Sequence, residues 1–178
     1  IEKFNTKNDV IKIMKLHAES SDYAARLLEI SMHSLLQPAV DCGALGDISL
    51  EPLSQMRSAN KKHGNVGDIE LLEGSDIIES WDAKYGKSYL REEIEEAAEK
   101  IPNHHNIQIV GFVTNMKIQR TVEMDKRIID LSSLHGVTFQ IIGYEDWVGL
   151  MFKRCIDSSL IDEKRLSQEW IKAYALTL

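Results

Sequence analysis

The chain has 178 residues, a mass of 20.2 kDa, 43% hydrophobic and 28% charged residues. That is ordinary globular usage and excludes a disordered or fibrous polypeptide. No apolar run approaches the roughly 20 residues that span a bilayer, so no membrane partner is expected. Cys42 and Cys155 are too few for a disulfide framework, which makes an intracellular, cytoplasmic setting the expectation. The net charge is −7. Nucleic-acid-binding domains are more often basic, because phosphate contacts dominate their affinity. Carboxylates are nevertheless what a metal-dependent site requires, and the local field in a cleft outweighs the sum over the chain.

In chain order, Asn8 or Asp9 is placed to cap a short amphipathic helix through Ile11, Met14 and Leu16. A longer helix runs from about Ser21 to Leu36 and is expected to stop before Pro38, since a proline disfavours the α region in the residue ahead of it. Residues 42–66 carry Gly43, Gly46, Pro52 and Gly64 and read as loop, with at most one short helix near Leu53–Ala59. Val66–Leu71 and Ile77–Tyr85 alternate as strands around the turn residues Glu73-Gly74-Ser75-Asp76, which predicts a β-hairpin. Ser88 is placed to cap a helix with the stripe Leu90, Ile94, Ala97 and Ile101. Ile107–Thr114 and Val137–Ile142 are the continuous apolar runs of buried strands, separated by a helix over about Val122–Leu134. Two further helices, around Asp146–Ile156 and Asp162–Leu176, close the chain. The expectation is one α/β domain over residues 1–178. N-terminal helices occupy 1–40, a mixed central sheet of about four to five strands occupies 64–143, and C-terminal helices occupy 144–178.

The residues that carry chemistry lie on the hairpin. Asp82 and Lys84 share one face of their strand, because side chains alternate along it. Thirteen residues (69–81) separate Asp68 from Asp82, enough for one strand to finish, turn and return. Two carboxylates brought together in this way suit Mg²⁺, which binds through one or two carboxylates and keeps several waters. Lys84 can orient or deprotonate an attacking water, or stabilise charge on a phosphate. The plainer alternative is a charged strand facing water. Against it, Ile77, Ile78 and Trp81 mark the strand as substantially buried, and buried charges need a partner or a metal.

This pattern resembles the PD-(D/E)xK nuclease superfamily, with Gly67-Asp68 in place of Pro-Asp and Asp82-Ala83-Lys84 as the D-x-K half. Trp81 to Glu96 looks especially like the strand-then-helix passage of type II restriction endonuclease cores. The likeness covers about Ser21 to Ile142, with Ile107–Thr114 expected to complete a β-meander across an intervening helix. It implies a restriction-endonuclease-like fold and Mg²⁺-dependent hydrolysis of DNA phosphodiesters to 5′-phosphate and 3′-hydroxyl ends. It further implies a metal held by Asp68 and Asp82, with Lys84 acting on the water, and double-stranded DNA and a homodimer as partners. A helix before the hairpin often supplies one more carboxylate in this family, which makes Glu29 a candidate third ligand. The stripe Asp22, Arg26, Glu29 and His33 is more simply a solvated polar face, and Glu70 is the alternative ligand. A repair or recombination nuclease of the same superfamily is the next reading, followed by a non-catalytic binding module of a larger DNA-processing complex.

Weaker signals complete the reading. Arg57, Lys61, Lys62 and His63 form a basic patch ahead of Asp68, and Lys117, Arg120, Lys126 and Arg127 form a second. His104-His105 lacks partners at zinc-ligand spacing. Trp147, Met151, Trp170 and Tyr174 suit a core better than an interface. No nucleotide-loop, dinucleotide, nucleophile-elbow or zincin motif is present.

Overall fold

The computed structural model describes residues 3–53 and 66–178. Their contacts fall into two compact units, one formed by residues 1–50 with 144–178 and the other by residues 51–143. The expected helix near Leu53–Ala59, apart from the buried Leu53, and the patch of Arg57, Lys61, Lys62 and His63 lie outside the described residues.

The helical unit contains α1 (Lys7–Glu19), α2 (Ala24–Asp41), α5 (Tyr144–Asp157) and α6 (Glu163–Thr177). Thr6, not Asn8 or Asp9, caps α1. Its hydroxyl accepts from the Asp9 N–H while the Asp9 carboxylate accepts from the Thr6 N–H, a reciprocal capping box. α2 runs through Pro38 instead of stopping before it. Ala39 is as deeply buried as Leu35 and Leu36, so packing of the continued apolar stripe outweighs the hydrogen bond that proline removes. Trp147, Met151, Trp170 and Tyr174 are buried, and the Trp170 indole N–H donates to the Ser31 carbonyl oxygen at 2.9 Å. These aromatics are core.

The second unit is built on the sheet. Its strands are β2 (Ile69–Glu73), β3 (Asp76–Ala83), β4 (Ile109–Thr114) and β5 (Thr138–Gly143), and its helices are α3 (Arg91–Lys100) and α4 (Val122–His135). With the two-residue β1 (Ser49–Leu50), which the sequence reading took as loop, the sheet has five strands in the order β1-β2-β3-β4-β5. It is mixed, and the fold is α/β. β2 and β3 form the expected antiparallel hairpin around Gly74, whose φ of +62° suits the tight turn. β3 and β4 pair in parallel, as do β4 and β5. The expected meander is therefore corrected. The link from β3 to β4 holds a whole helix, and a helical crossover returns the chain in the same direction.

Helix ends in this unit follow local chemistry. Thr121 caps α4 by accepting from the Met124 N–H, and Gly136 ends it at φ +65°. Ser88 does not cap α3. The helix begins at Arg91, and the Ser88 carbonyl instead accepts from the Gln119 N–H. One face of the sheet carries Val110, Phe112, Phe139 and Ile141, packed with Leu90, Ile94 and Ala97 of the α3 segment and with Met124 and Leu131 of α4. Around this core Arg91 and Arg127 bracket Glu95, and Arg91 also holds Glu123, so ion pairs tie α3 to α4.

On the other face, Trp81 is wholly buried and stands opposite Gly111 in the parallel register. A Cβ at Gly111 would fall 2.1 Å from the indole ring. The ring therefore occupies the space a side chain would take, and its N–H donates to Glu79 Oε1 at 2.7 Å. Gly111→Ala should cost about 1–3 kcal/mol, the scale of overpacking a filled core. The check is the urea unfolding midpoint. A midpoint equal to the parent's would mean that the indole shifts without cost.

Candidate functional site

Asp68 and Asp82 meet at the end of the hairpin farthest from its turn. Asp68 is the residue just before β2, Asp82 is the penultimate residue of β3, and Lys84 follows β3 directly. The antiparallel register Ile69↔Trp81 carries on to bring Asp68 beside Asp82. Each carboxylate accepts a hydrogen bond from the backbone of the facing segment. The Asp68 N–H donates to Asp82 Oδ1 at 2.7 Å, and the Ala83 N–H donates to Asp68 Oδ2 at 3.2 Å. Each carboxylate is thereby fixed by the other strand's backbone.

Gly67 makes this approach possible. A Cβ there would lie 2.3 Å from Ser80 Oγ and 3.2 Å from Asp82 Oδ1. The chain ahead of Asp68 runs too close to β3 to carry a side chain.

Asp68, Asp82 and Lys84 line one open cleft of about 230 Å³, together with Glu93, Glu96 and Lys100 of α3. The structure thus brings together the three residues the sequence pattern singled out. Burial, followed by the neighbouring charge of Asp68, raises the Asp82 carboxyl to about 7, against the opposing pull of Lys84. The Asp68 N–H that donates to the Asp82 carboxylate also pulls downward, without cancelling the effect of burial. The pair therefore holds a proton near neutrality where isolated aspartates would not.

The other candidates are placed elsewhere. Glu29 lies on α2, in the helical unit, and is not among the residues that line this cleft. It is buried, so the stripe is not the solvated face expected of it, and Arg26 donates to its carboxylate at 3.3 Å. Glu70 is buried, accepts from the Val66 N–H at 2.8 Å and lines a different cavity, beside the hairpin turn and the His104-His105 loop. In the second basic cluster, Arg127 is committed to Glu95, while Arg120 holds Asp125 and the Ile141 carbonyl. Cys155 is buried, which pushes its thiol up to about 11, as an inert cysteine requires.

Glu93 is the cleft residue that the sequence reading missed. It is buried on the inner side of α3, and its carboxylate is ion-paired with Lys87. Burial alone would raise its carboxyl, but the Lys87 hydrogen bond and the charges of Lys87 and Lys84 leave it lowered. The signal was present. Glu93 falls three residues after Leu90 and four before Ala97, within the apolar stripe.

The donor set fits a hard divalent cation. Two carboxylates on rigid strand ends repel each other in a partly dehydrated cleft, and a cation relieves that repulsion more fully than a shared proton. Among the described residues no three His, Cys, Asp or Glu side chains converge as a ready-made metal group. Two carboxylates would suit an ion that keeps much of its water. Among those residues no helix is long and apolar enough to cross a membrane. No family model matches the chain, nor does any curated protein.

The raised Asp82 carboxyl has a signed consequence. The folded protein keeps a proton that the unfolded chain releases between pH 3.8 and about 7, so stability falls as pH rises through that window. An asparagine in place of Asp82 cannot ionise, and its side-chain oxygen can still accept from the Asp68 N–H. Asp82→Asn should therefore melt higher than the parent at pH 8 in EDTA, by about 2–4 °C for each ~1 kcal/mol relieved. The gain should vanish near pH 4. Equal melting temperatures at pH 8 would show that ionising Asp82 costs the fold nothing.

Proposed function

We propose that this chain is a Mg²⁺-dependent endonuclease that hydrolyses phosphodiester bonds of double-stranded DNA, of the type II restriction kind or the catalytic domain of such an enzyme. One observation carries the reading. The two aspartates and the lysine of a D…DxK pattern line one cleft, and each aspartate carboxylate accepts a hydrogen bond from the backbone of the facing segment. A chance pattern on a solvated strand needs no such convergence.

Asp68 and Asp82 would hold the ion, which when bound neutralises phosphate charge and acidifies water. The chain's own groups supply the rest. The backbone bonds keep both carboxylates oriented toward the cleft. Lys84, one pleat beyond Asp82, orients the attacking water and offsets the charge that builds on the phosphate. Water adds to phosphorus as the bond to the 3′-oxygen breaks, leaving 5′-phosphate and 3′-hydroxyl ends. Cutting both strands of a duplex suits a homodimer, and a cytoplasmic setting belongs to the same reading.

The net charge of −7 favours a second reading, a non-catalytic module of a larger DNA-processing assembly. Plasmid digestion separates them. A nuclease nicks or linearises plasmid with Mg²⁺ and not with EDTA, and discrete fragments select the restriction reading. No cleavage under any divalent ion would leave the binding module.

Two variant sets test the assigned roles. Asp68→Asn and Asp82→Asn should each abolish cleavage while remaining folded by circular dichroism, and parent-level cutting by either would remove the ion-holding role. Lys84→Ala should slow single-turnover cleavage by about 10²-fold or more with DNA binding nearly intact. Lys84→Arg should rescue poorly, since a guanidinium is bulkier and keeps its proton. A Lys84→Ala protein as fast as the parent would end the D-x-K assignment.

A further inference from the structure

Glu93 is costly where it stands. Position 93 belongs to the stripe that packs α3 on the sheet, where an apolar residue would extend the contacts of Leu90, Ile94 and Ala97. The structure instead holds a carboxylate there with 9% of its side chain exposed. A buried charge needs an opposite charge, and the one it has is Lys87, whose side chain is 54% exposed. Lys87 comes from the loop that follows β3 and is not one of the residues lining the cleft, whereas Glu93 is. Four acids (Asp68, Asp82, Glu93, Glu96) line the cleft against two lysines (Lys84, Lys100). Lys84 lines the same cleft as Asp68, Asp82 and Glu93.

We infer that Glu93 is a third carboxylate for the cation held by Asp68 and Asp82, acting through the ion's water shell, and that the Lys87 ammonium substitutes for the cation at Glu93 when the site is empty. This rests on the cation-site reading above and extends it. Water-mediated contact suits the geometry, because these carboxylates do not converge as a direct three-ligand group among the described residues. It also suits Mg²⁺, which gives up its waters reluctantly. Lys87 then has a second effect. It competes with the cation for Glu93, so the loop after β3 sets how readily the site fills.

The two residues predict opposite signs, which a purely structural ion pair does not. The experiment is isothermal titration of the folded chain with Mn²⁺ and Mg²⁺, without DNA, for the parent and for Asp82→Asn, Glu93→Gln and Lys87→Met. Glu93→Gln should weaken binding by about 10-fold, the scale on which partners around a metal's direct ligands act. Lys87→Met should tighten it, and Asp82→Asn should remove it. If Asp82→Asn loses the ion while Glu93→Gln binds like the parent, the role of Glu93 is overturned and the aspartate site stands. If Lys87→Met binds no more tightly, the substitution of ammonium for cation is overturned. If the parent binds neither ion, both this inference and the cation-site reading fall. Melting temperatures of the same variants separate a loss of fold from a loss of affinity.

Discussion

The parallel pairing of β3 with β4 is the constraint from which the cleft follows, and the contact of Trp81 with Gly111 fixes it. An indole fills the space above a residue that has no side chain, so the two strands fit in one register. That register sets Asp82 beside Phe112 and Ser80 beside Val110, on the face covered by α3 and α4. A slip of one residue would turn Asp82 to the opposite face and leave Lys84 with it. The carboxylate reaches the cleft because a tryptophan on the other side of the strand cannot move.

The same arrangement concentrates unfavourable charge. Two aspartates face each other at the end of the hairpin, and a glutamate lies buried in the helix that roofs them. None of these groups is what a stable core would select. The fold offsets them with interactions placed just outside the cleft. The cross-helix pairs of Arg91 and Arg127 with Glu95 and Glu123 hold the roof, and bring the Glu95 carboxyl down to about 2, chiefly through Arg127.

Much of this was legible in the sequence, for reasons that differ by element. The hairpin was readable because period-two alternation flanked turn residues, and β4 and β5 because doubly buried strands are continuous apolar runs. α4 was readable as the helical stretch between those two strands. What stayed hidden was decided away from the local sequence. Pro38 reads as a stop and is overridden by the packing of Ala39. Parallel pairing of β4 depends on how α3 crosses the sheet, which periodicity does not record. In the site, Asp68, Asp82 and Lys84 were legible from type and spacing. Glu93 was passed over because a glutamate in a helix is ordinarily taken as solvated, although its spacing from Leu90 and Ala97 put it within the apolar stripe of α3.

The clearance at Gly67 bears on how this corner of the fold can change over time. A residue there is excluded by the hydroxyl of Ser80, by the carboxylate of Asp82 and by the Trp81 carbonyl. Of these three, Ser80 Oγ lies nearest and belongs to a side chain outside the D…DxK pattern. Positions 67 and 80 are therefore bound together as a volume-sharing pair. A side chain at 67 is closed off while Ser80 stands, whereas a smaller residue at 80 would open the way for a methyl group at 67. Among relatives of this chain, the two positions should covary in size although one precedes β2 and the other lies on β3.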